Sequence, residues 1–207
     1  MDGTTMDLTL EPSRAALVAI DLQRGLAAQP MAPYPVAEVV ERTTRLAHAL
    51  RATGGTVILV RVIASPDGKD ALRPLTDAPP AWSRGSRPAD WAEIVPELGT
   101  DPSDLVISKR QWGAFYGTEL DLQLRRRGIG TIILTGVSTN VGVESTARDA
   151  SERGYEQVFV EDAVSARDAG EHVHTVRVVF PRIGRVRSTA DVLAALQNTE
   201  SPGPTAS

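Results

Sequence analysis

The sequence of 207 residues contains no cysteine. This absence excludes disulfide bonds, a thiolate nucleophile and any zinc site that has sulfur ligands. Histidine is also scarce, with three in the chain: His48, His172 and His174. All three fall in predicted helices, so we interpret them as surface or packing residues.

The chain has fewer basic residues than acidic ones. The chain has 22 Lys and Arg against 26 Asp and Glu, which gives a net charge of -4 and a pI near 5.4. Because proteins that bind nucleic acids usually carry a basic excess on one face, we expect no nucleic-acid partner. The densest basic run, Arg125 to Arg127, lies where a helix should end, and the helix dipole favours positive charge at that position.

Long apolar runs are missing as well. No stretch approaches the roughly 18 consecutive apolar residues of a membrane-spanning helix. The first 14 residues, MDGTTMDLTLEPSR, lack a basic segment followed by an apolar one, which a secretory leader would show. We therefore expect a cytoplasmic protein with no membrane contact.

Short apolar runs rich in Val and Ile recur along the chain, and helix-like segments lie between them. Continuous apolar strands are typical of a parallel sheet that is covered on both faces. The alternation predicts a three-layer α/β fold in one domain, residues 1–197, built on a mostly parallel sheet. The predicted strands are Ala15–Ile20, Thr56–Val62, Leu105–Ile107, Thr131–Thr135, Gln157–Val160 and Ile183–Val186.

Two segments fall outside this alternation. Residues 64–104 hold seven prolines with little periodicity, and a loop of this length is typical of a lid, a binding loop or a subunit contact. Since Trp82 and Trp91 are costly to leave in water, we favour a lid or an interface over disorder. The small polar residues 198–207 predict a flexible C-terminal tail.

Ligands of an open parallel sheet bind beyond the carboxyl ends of its strands. Asp21 directly follows the first predicted strand, where partial desolvation would raise the pKa of the carboxyl group and suit it to proton transfer. Lys109 follows the third, in a chain with 20 Arg and only 2 Lys, and a lysine there would hold or tune Asp21. The alternatives are a turn-capping aspartate and a solvent-facing lysine.

The stretch after the fourth predicted strand combines a turn with a helix start. Gly136 permits a sharp turn, Asn140 can cap a helix, and the first helical amides form an anion or oxyanion site. A glycine in a first helical turn costs roughly 0.5 to 1 kcal/mol relative to alanine. Gly142 therefore indicates either a close approach by a neighbour or space for a ligand.

Three stretches of the chain resemble the isochorismatase-like hydrolase family, also called the cysteine hydrolases. They are VAIDLQRG, KRQWGAFYGTELDLQLRRRGI and LTGVSTNVGVESTARDASERGYEQVFVEDAVSA. The family includes nicotinamidases, N-carbamoylsarcosine amidohydrolases and isochorismatases, and the likeness runs from about Ala15 to Ile183. The resemblance implies a six-stranded parallel sheet of order 3-2-1-4-5-6 and a homo-oligomer, dimeric or tetrameric.

The resemblance also implies a catalytic site. It places the family's catalytic aspartate at Asp21, its catalytic lysine at Lys109 and its nucleophilic cysteine at Gly142. It implies a non-proline cis peptide between Val137 and Ser138, with an oxyanion hole formed by the amides of Ser138 and Gly142.

Further residues of these stretches form the candidate substrate pocket. Aromatic side chains after Lys109 would wall such a pocket, although core packing explains them nearly as well. The candidate pocket residues are Gln23, Trp112, Phe115, Tyr116, Thr139 and Asn140. The stretch VRVIASPDG offers no histidine for the metal site of nicotinamidases, so we predict no metal, and we expect no cofactor.

The missing thiol at position 142 excludes a thioester and with it amide hydrolysis by the usual covalent route. The nearby hydroxyls of Ser138, Thr139 and Ser145 have no histidine placed by motif to activate them. Family members that hydrolyse the vinyl ether of isochorismate also carry glycine at this position, and their aspartate acts as a general acid. We therefore expect a hydrolase of a small carboxylated or cyclic metabolite, in which Asp21 protonates the substrate.

The substrate and the activity itself stay open. The segment STNVGVEST looks more like the amidohydrolase branch of the family than the isochorismatase branch. The alternative is a catalytically silent member that binds a small ligand or a partner through the same pocket. A dinucleotide-dependent oxidoreductase is disfavoured because DLQRGL after the first strand lacks the glycine fingerprint. Candidate cations for an anionic substrate are Arg61, Arg84, Arg87 and Arg110.

Overall fold

The computed structural model describes residues 7–72, 74–78, 88–99 and 101–198. Three of the residues singled out above, Trp82, Arg84 and Arg87, lie outside these ranges, and so does the tail beyond residue 198.

Six strands form one parallel sheet in the order β3-β2-β1-β4-β5-β6, which confirms the expected fold class and strand order. The strands are β1 (Ala15–Ile20), β2 (Thr56–Val62), β3 (Leu105–Lys109), β4 (Thr131–Val137), β5 (Glu156–Ser165) and β6 (Arg185–Arg187). Every residue of the central strand β1 is buried, as a strand covered on both faces requires.

Helices lie on both sides of the sheet. The α-helices of the described ranges are α1 (Arg24–Ala27), α2 (Val36–Ala52), α3 (Leu120–Arg126), α4 (Glu144–Glu152), α5 (Ala169–His174) and α6 (Thr189–Gln197). One apolar cluster joins the sheet to α2 and α6, and a second joins it to α3 and α4. The three-layer arrangement is therefore confirmed. No helix in these ranges has the length and apolar character needed to cross a membrane.

Strand β5 is longer than its sequence suggests. The expected strand ends at Val160, whereas the observed one continues through Glu161 and Asp162 to Ser165. The Asp162 carboxylate accepts hydrogen bonds from the backbone N and Oγ1 of Thr189, at 2.7 and 2.8 Å. These bonds let a charged residue occupy the middle of a strand, and they explain why the apolar pattern stops early.

Gly136 does not form the turn expected from the sequence. It lies inside β4 with φ of 110°, and a Cβ atom there would stand 2.0 Å from the carbonyl oxygen of Ile20 in the adjacent β1. The glycine is required because two backbones approach closely, so β4 continues to Val137.

Candidate active site

Asp21 and Lys109 meet beyond the carboxyl ends of the strands. Lys109 Nζ lies 2.8 Å from Asp21 Oδ2, and the side chains are 1% and 8% exposed, respectively. Lys109 also donates a hydrogen bond to the carbonyl oxygen of Trp112. The two residues form a buried ion pair, and the alternatives of a solvent-facing lysine and a simple turn-capping aspartate do not apply.

Burial raises the pKa of Asp21 above its ordinary value, and the charge and hydrogen bond of Lys109 oppose that shift only in part. The second carboxyl oxygen, Oδ1, is buried and makes no hydrogen bond within the described part of the chain. Because a buried polar oxygen normally finds a partner, Oδ1 is a candidate to contact a ligand.

Gly142 lies directly against the ion pair. It belongs to a π-helical turn, Thr139–Val143, that precedes α4, and it is buried. A Cβ atom on Gly142 would stand 3.0 Å from Asp21 Oδ2 and 3.2 Å from Lys109 Nζ. The carboxylate, the ammonium group and position 142 therefore lie side by side, and a Cβ atom at position 142 would fit only if its neighbours shifted by a few tenths of an ångström.

The turn at Gly142 is anchored to its surroundings. The carbonyl oxygen of Gly142 accepts a 2.7 Å hydrogen bond from Thr146 Oγ1, which in turn accepts a 3.1 Å hydrogen bond from the amide of Ala114. Thr146 thus links the start of α4 to the loop that carries the carbonyl bonded to Lys109.

The peptide bond between Val137 and Ser138 is cis, as the resemblance implied. The carbonyl oxygen of Ser138 accepts hydrogen bonds from the amides of Val141 and Val143, at 3.1 and 3.2 Å. Those two amides are therefore occupied within the turn. The oxyanion hole from the amides of Ser138 and Gly142 stays a prediction.

Asn140 does not act as the helix cap expected from the sequence. Ser138 occupies the cap position without a side-chain cap bond, and Asn140 lies inside the π-helical turn. Its Oδ1 atom is buried and has no hydrogen-bond partner in the described ranges. The side chain thus remains a candidate to contact a ligand.

The aromatic candidate pocket residues fall into two groups, one buried in the core and one exposed at the surface. Phe115 is buried in the core beside Tyr155, with the ring centroids 5.8 Å apart, so the alternative of core packing applies to it. Trp112 and Tyr116 are 59% and 76% exposed. Arg110 pairs with the carboxylate of Asp70 at the surface.

Gln23 is fully buried, and its side-chain amide group hydrogen-bonds to backbone atoms. Oε1 accepts a 2.8 Å hydrogen bond from the amide of Val62, while Nε2 donates to the carbonyl oxygens of Val62 and Trp91 at 3.1 and 3.2 Å. An amide group with these three bonds has little left to offer a substrate. The expectation that Gln23 lines the substrate pocket is not supported by this geometry.

A buried histidine near the site was underestimated from the sequence. His172 on α5 is 5% exposed, and its Nδ1 lies 3.0 Å from Oγ1 of Thr139, which is also buried. Its ring packs against that of Tyr34 in a T-shaped arrangement, with the ring centroids 5.9 Å apart. His172 does pack, as expected, but it also gives a hydroxyl of the active-site turn a nitrogen partner, which no local sequence motif indicated.

The family of the chain follows from its sequence. A family model for the isochorismatase domain matches residues 15–191. The chain belongs to the isochorismatase family. The matched range includes Asp21, Lys109 and Gly142.

Relatives of this isochorismatase family protein cover nearly its whole length. The isochorismatase family protein YecD of Escherichia coli O157:H7 is 50% identical over 190 residues, which span 91% of this chain and 100% of the relative. An isochorismatase family protein of Burkholderia thailandensis has a solved structure with a TM-score of 0.87 and 48% identity, covering 91% of this chain and 98% of that one. The ureidoacrylate amidohydrolase RutB of Methylorubrum extorquens is 30% identical over 220 residues, covering 94% and 87%.

Proposed function

We propose that this isochorismatase family member hydrolyses a small carboxylated or cyclic metabolite by general-acid catalysis from Asp21, with no covalent thioester. The proposal rests on the buried Asp21–Lys109 pair, in which Nζ and Oδ2 are 2.8 Å apart. This pair packs against Gly142, in a chain that has no cysteine. We infer that Gly142 occupies the position of the family's nucleophilic cysteine.

The reaction that fits best is hydrolysis of an enol ether. Asp21 gives its proton to the terminal carbon of the double bond, which leaves an oxocarbenium ion. Water adds to that ion, and the proton lost from the water restores the acid on Asp21. The hydroxyl group of the resulting hemiketal then loses its proton, the ether oxygen gains one, and the bond between the hemiketal carbon and the ether oxygen breaks to give a ketone and an alcohol.

The residues around the acid suit this role. Burial raises the pKa of Asp21, which keeps a larger fraction of the carboxyl group protonated than in water. We assign the proton to Oδ1, which makes no hydrogen bond with any residue that the structure describes. Lys109 balances the carboxylate that forms when the proton leaves.

Amide hydrolysis is the chemistry named for the relative RutB. The residues present here support it less well, because a hydroxyl nucleophile needs an adjacent base that can reach it. The pair of Thr139 and His172 has that composition, but Thr139 is fully buried.

The test is turnover of isochorismate and a panel of simple enol ethers and amides, compared between the parent protein and Asp21→Asn. We expect hydrolysis of an enol ether by the parent and its loss in the variant. Turnover that Asp21→Asn leaves unchanged would refute acid catalysis. A folded parent that is inert on the whole panel, but whose unfolding temperature rises with one of these compounds, would support the silent ligand-binding alternative.

Three expectations accompany the proposal and remain predictions: a dimer or tetramer, a cytoplasmic location, and a reaction that needs no metal or cofactor. Light scattering after gel filtration measures the first. Activity that survives prolonged dialysis against a chelator would support the last, and activity restored by an added metal would contradict it.

A further inference from the structure

The backbone of Asp21 adopts an unfavourable conformation. Its φ is 55°, and no other non-glycine residue in the described ranges has a positive φ. An L-residue in this region costs on the order of 1 to 2 kcal/mol, so the surrounding structure must hold it there. The amide of Asp21 donates to the carbonyl oxygen of Val60 at 2.9 Å, and its own carbonyl oxygen accepts from the amide of Gln23 at 2.8 Å.

Gln23 connects this turn to the end of β2. Its amide group bonds to both the N–H and the carbonyl oxygen of Val62, so it pairs with the strand as a neighbouring backbone would. The third bond reaches the carbonyl oxygen of Trp91, which lies 68 residues further along the chain. Gln23 thus joins three separate segments two residues after Asp21.

Residues 88–95, which we call the Trp91 strap, pack against the turn. The strap makes backbone hydrogen bonds to Leu22, Arg24 and Gly25, at 3.1, 2.8 and 3.0 Å. The indole ring of Trp91 lies on Gly25, where a Cβ atom would stand 1.9 Å from the ring. This part of the long proline-rich loop is therefore packed against the chain's own active-site turn.

We propose that Gln23, held by the Trp91 strap, is a positioning residue that fixes the Asp21 carboxylate against Lys109. The effect on turnover rests on the proposed function, whereas the effect on the geometry of the pair does not. Gln23 acts only through the backbone of the turn, because its hydrogen-bonding groups are already engaged.

The test compares Gln23→Met with Gln157→Met. Gln157 is a matched control because it is equally buried, on β5, and its amide nitrogen donates to the carbonyl oxygen of Ile183 at 3.0 Å. Gln157 lies near the beginning of β5, at the opposite end of the sheet from Asp21. Both substitutions remove a buried amide group of the same size, but only Gln23→Met releases the active-site turn.

The first readout is the pKa of Asp21, measured by ¹³C NMR titration of its side-chain carboxyl carbon and assigned with Asp21→Asn. In the described ranges, Lys109 is the charged group in contact with this carboxylate. Release of the turn weakens that contact while the carboxyl group stays buried, so we expect the pKa of Asp21 to rise in Gln23→Met and to stay at the parent value in Gln157→Met.

The second readout is kinetic, with isochorismate as the substrate. We expect kcat to fall by about tenfold or more in Gln23→Met with little change in KM, because a displaced acid impairs the chemical step rather than binding. Gly25→Ala, which must push Trp91 off the turn, should show the same two effects if Gln23→Met does not fold.

An Asp21 pKa equal to that of the parent in folded Gln23→Met and Gly25→Ala would overturn the inference. An equal pKa change in Gln157→Met would also overturn it, because the effect would then reflect general loosening. If the parent turns over nothing on the panel, the proposed function fails, while the NMR titration still decides whether Gln23 positions Asp21.

Discussion

Replacement of Lys109 by methionine should make the stability of the protein strongly dependent on pH. At 2.8 Å, the attraction between the two charges amounts to about 6 kcal/mol at an effective dielectric constant of about 20. Removal of one partner from a buried ion pair typically costs about 3 to 5 kcal/mol, because the remaining charge is left uncompensated. We expect Lys109→Met to lose stability of this order at pH 8.

The loss should diminish in acid. Without Lys109, burial alone acts on the pKa of Asp21 and raises it further above the unfolded value. The folded state then binds a proton more tightly than the unfolded state, so stability is retained below the unfolded pKa near 3.8 and is lost as the pH rises through the folded pKa.

Urea unfolding followed by circular dichroism at pH 5 and pH 8 measures this difference. Lys69→Met is the matched control, because Lys69 is the other lysine of the chain and is 85% exposed beside Asp67; its midpoint should not move. The double variant Asp21→Asn, Lys109→Met should recover much of the stability at pH 8. An equal loss at both pH values, or no recovery in the double variant, would refute the argument.

Two glycine substitutions, with Gly154→Ala as a control, test close packing at β4 and at the active-site turn, and one histidine substitution tests the effect of burial on His172. Gly136→Ala should abolish folding or lower the urea midpoint drastically, since its Cβ would lie 2.0 Å from a backbone oxygen. Gly154→Ala is the control, because a Cβ there meets open space, and it should lower the urea midpoint far less. Gly142→Ala should destabilise the protein by about 1 to 3 kcal/mol through overpacking and should raise KM, and unchanged unfolding and kinetics would contradict the close approach. Burial lowers the pKa of His172 below the unfolded value of 6.5, so the parent should lose stability as the pH falls through 6.5 and below, and a His172→Gln variant with the same acid profile would contradict this.

Much of the fold was predictable because its signals are local. Runs such as Ala15–Ile20 are apolar throughout, as central parallel strands must be. Charged residues inside β5 concealed half of that strand, since Asp162 is satisfied by Thr189, which lies 27 positions away. Contacts of this range leave no trace in a short sequence window.

The site was predictable in part. Asp21 and Lys109 were predicted from their places at strand ends, and the structure brings them together with Gly142. The role of Gln23 was not predictable, because its partner Trp91 lies in a loop without periodicity. His172 was underestimated for a similar reason: helix α5 gives it no pattern that points to Thr139.

The strand order requires the side chain of Lys109 to reach across an intervening strand. It ends β3 and Asp21 follows β1, so the lysine side chain must cross the end of β2, which lies between them. Two strand spacings are roughly 10 Å, a span that only a long, unbranched side chain can bridge from one side. The lysine therefore passes the end of β2 at Val62, its partner in the sheet, and a short side chain at position 109 would leave Asp21 without its cation even in an unchanged backbone.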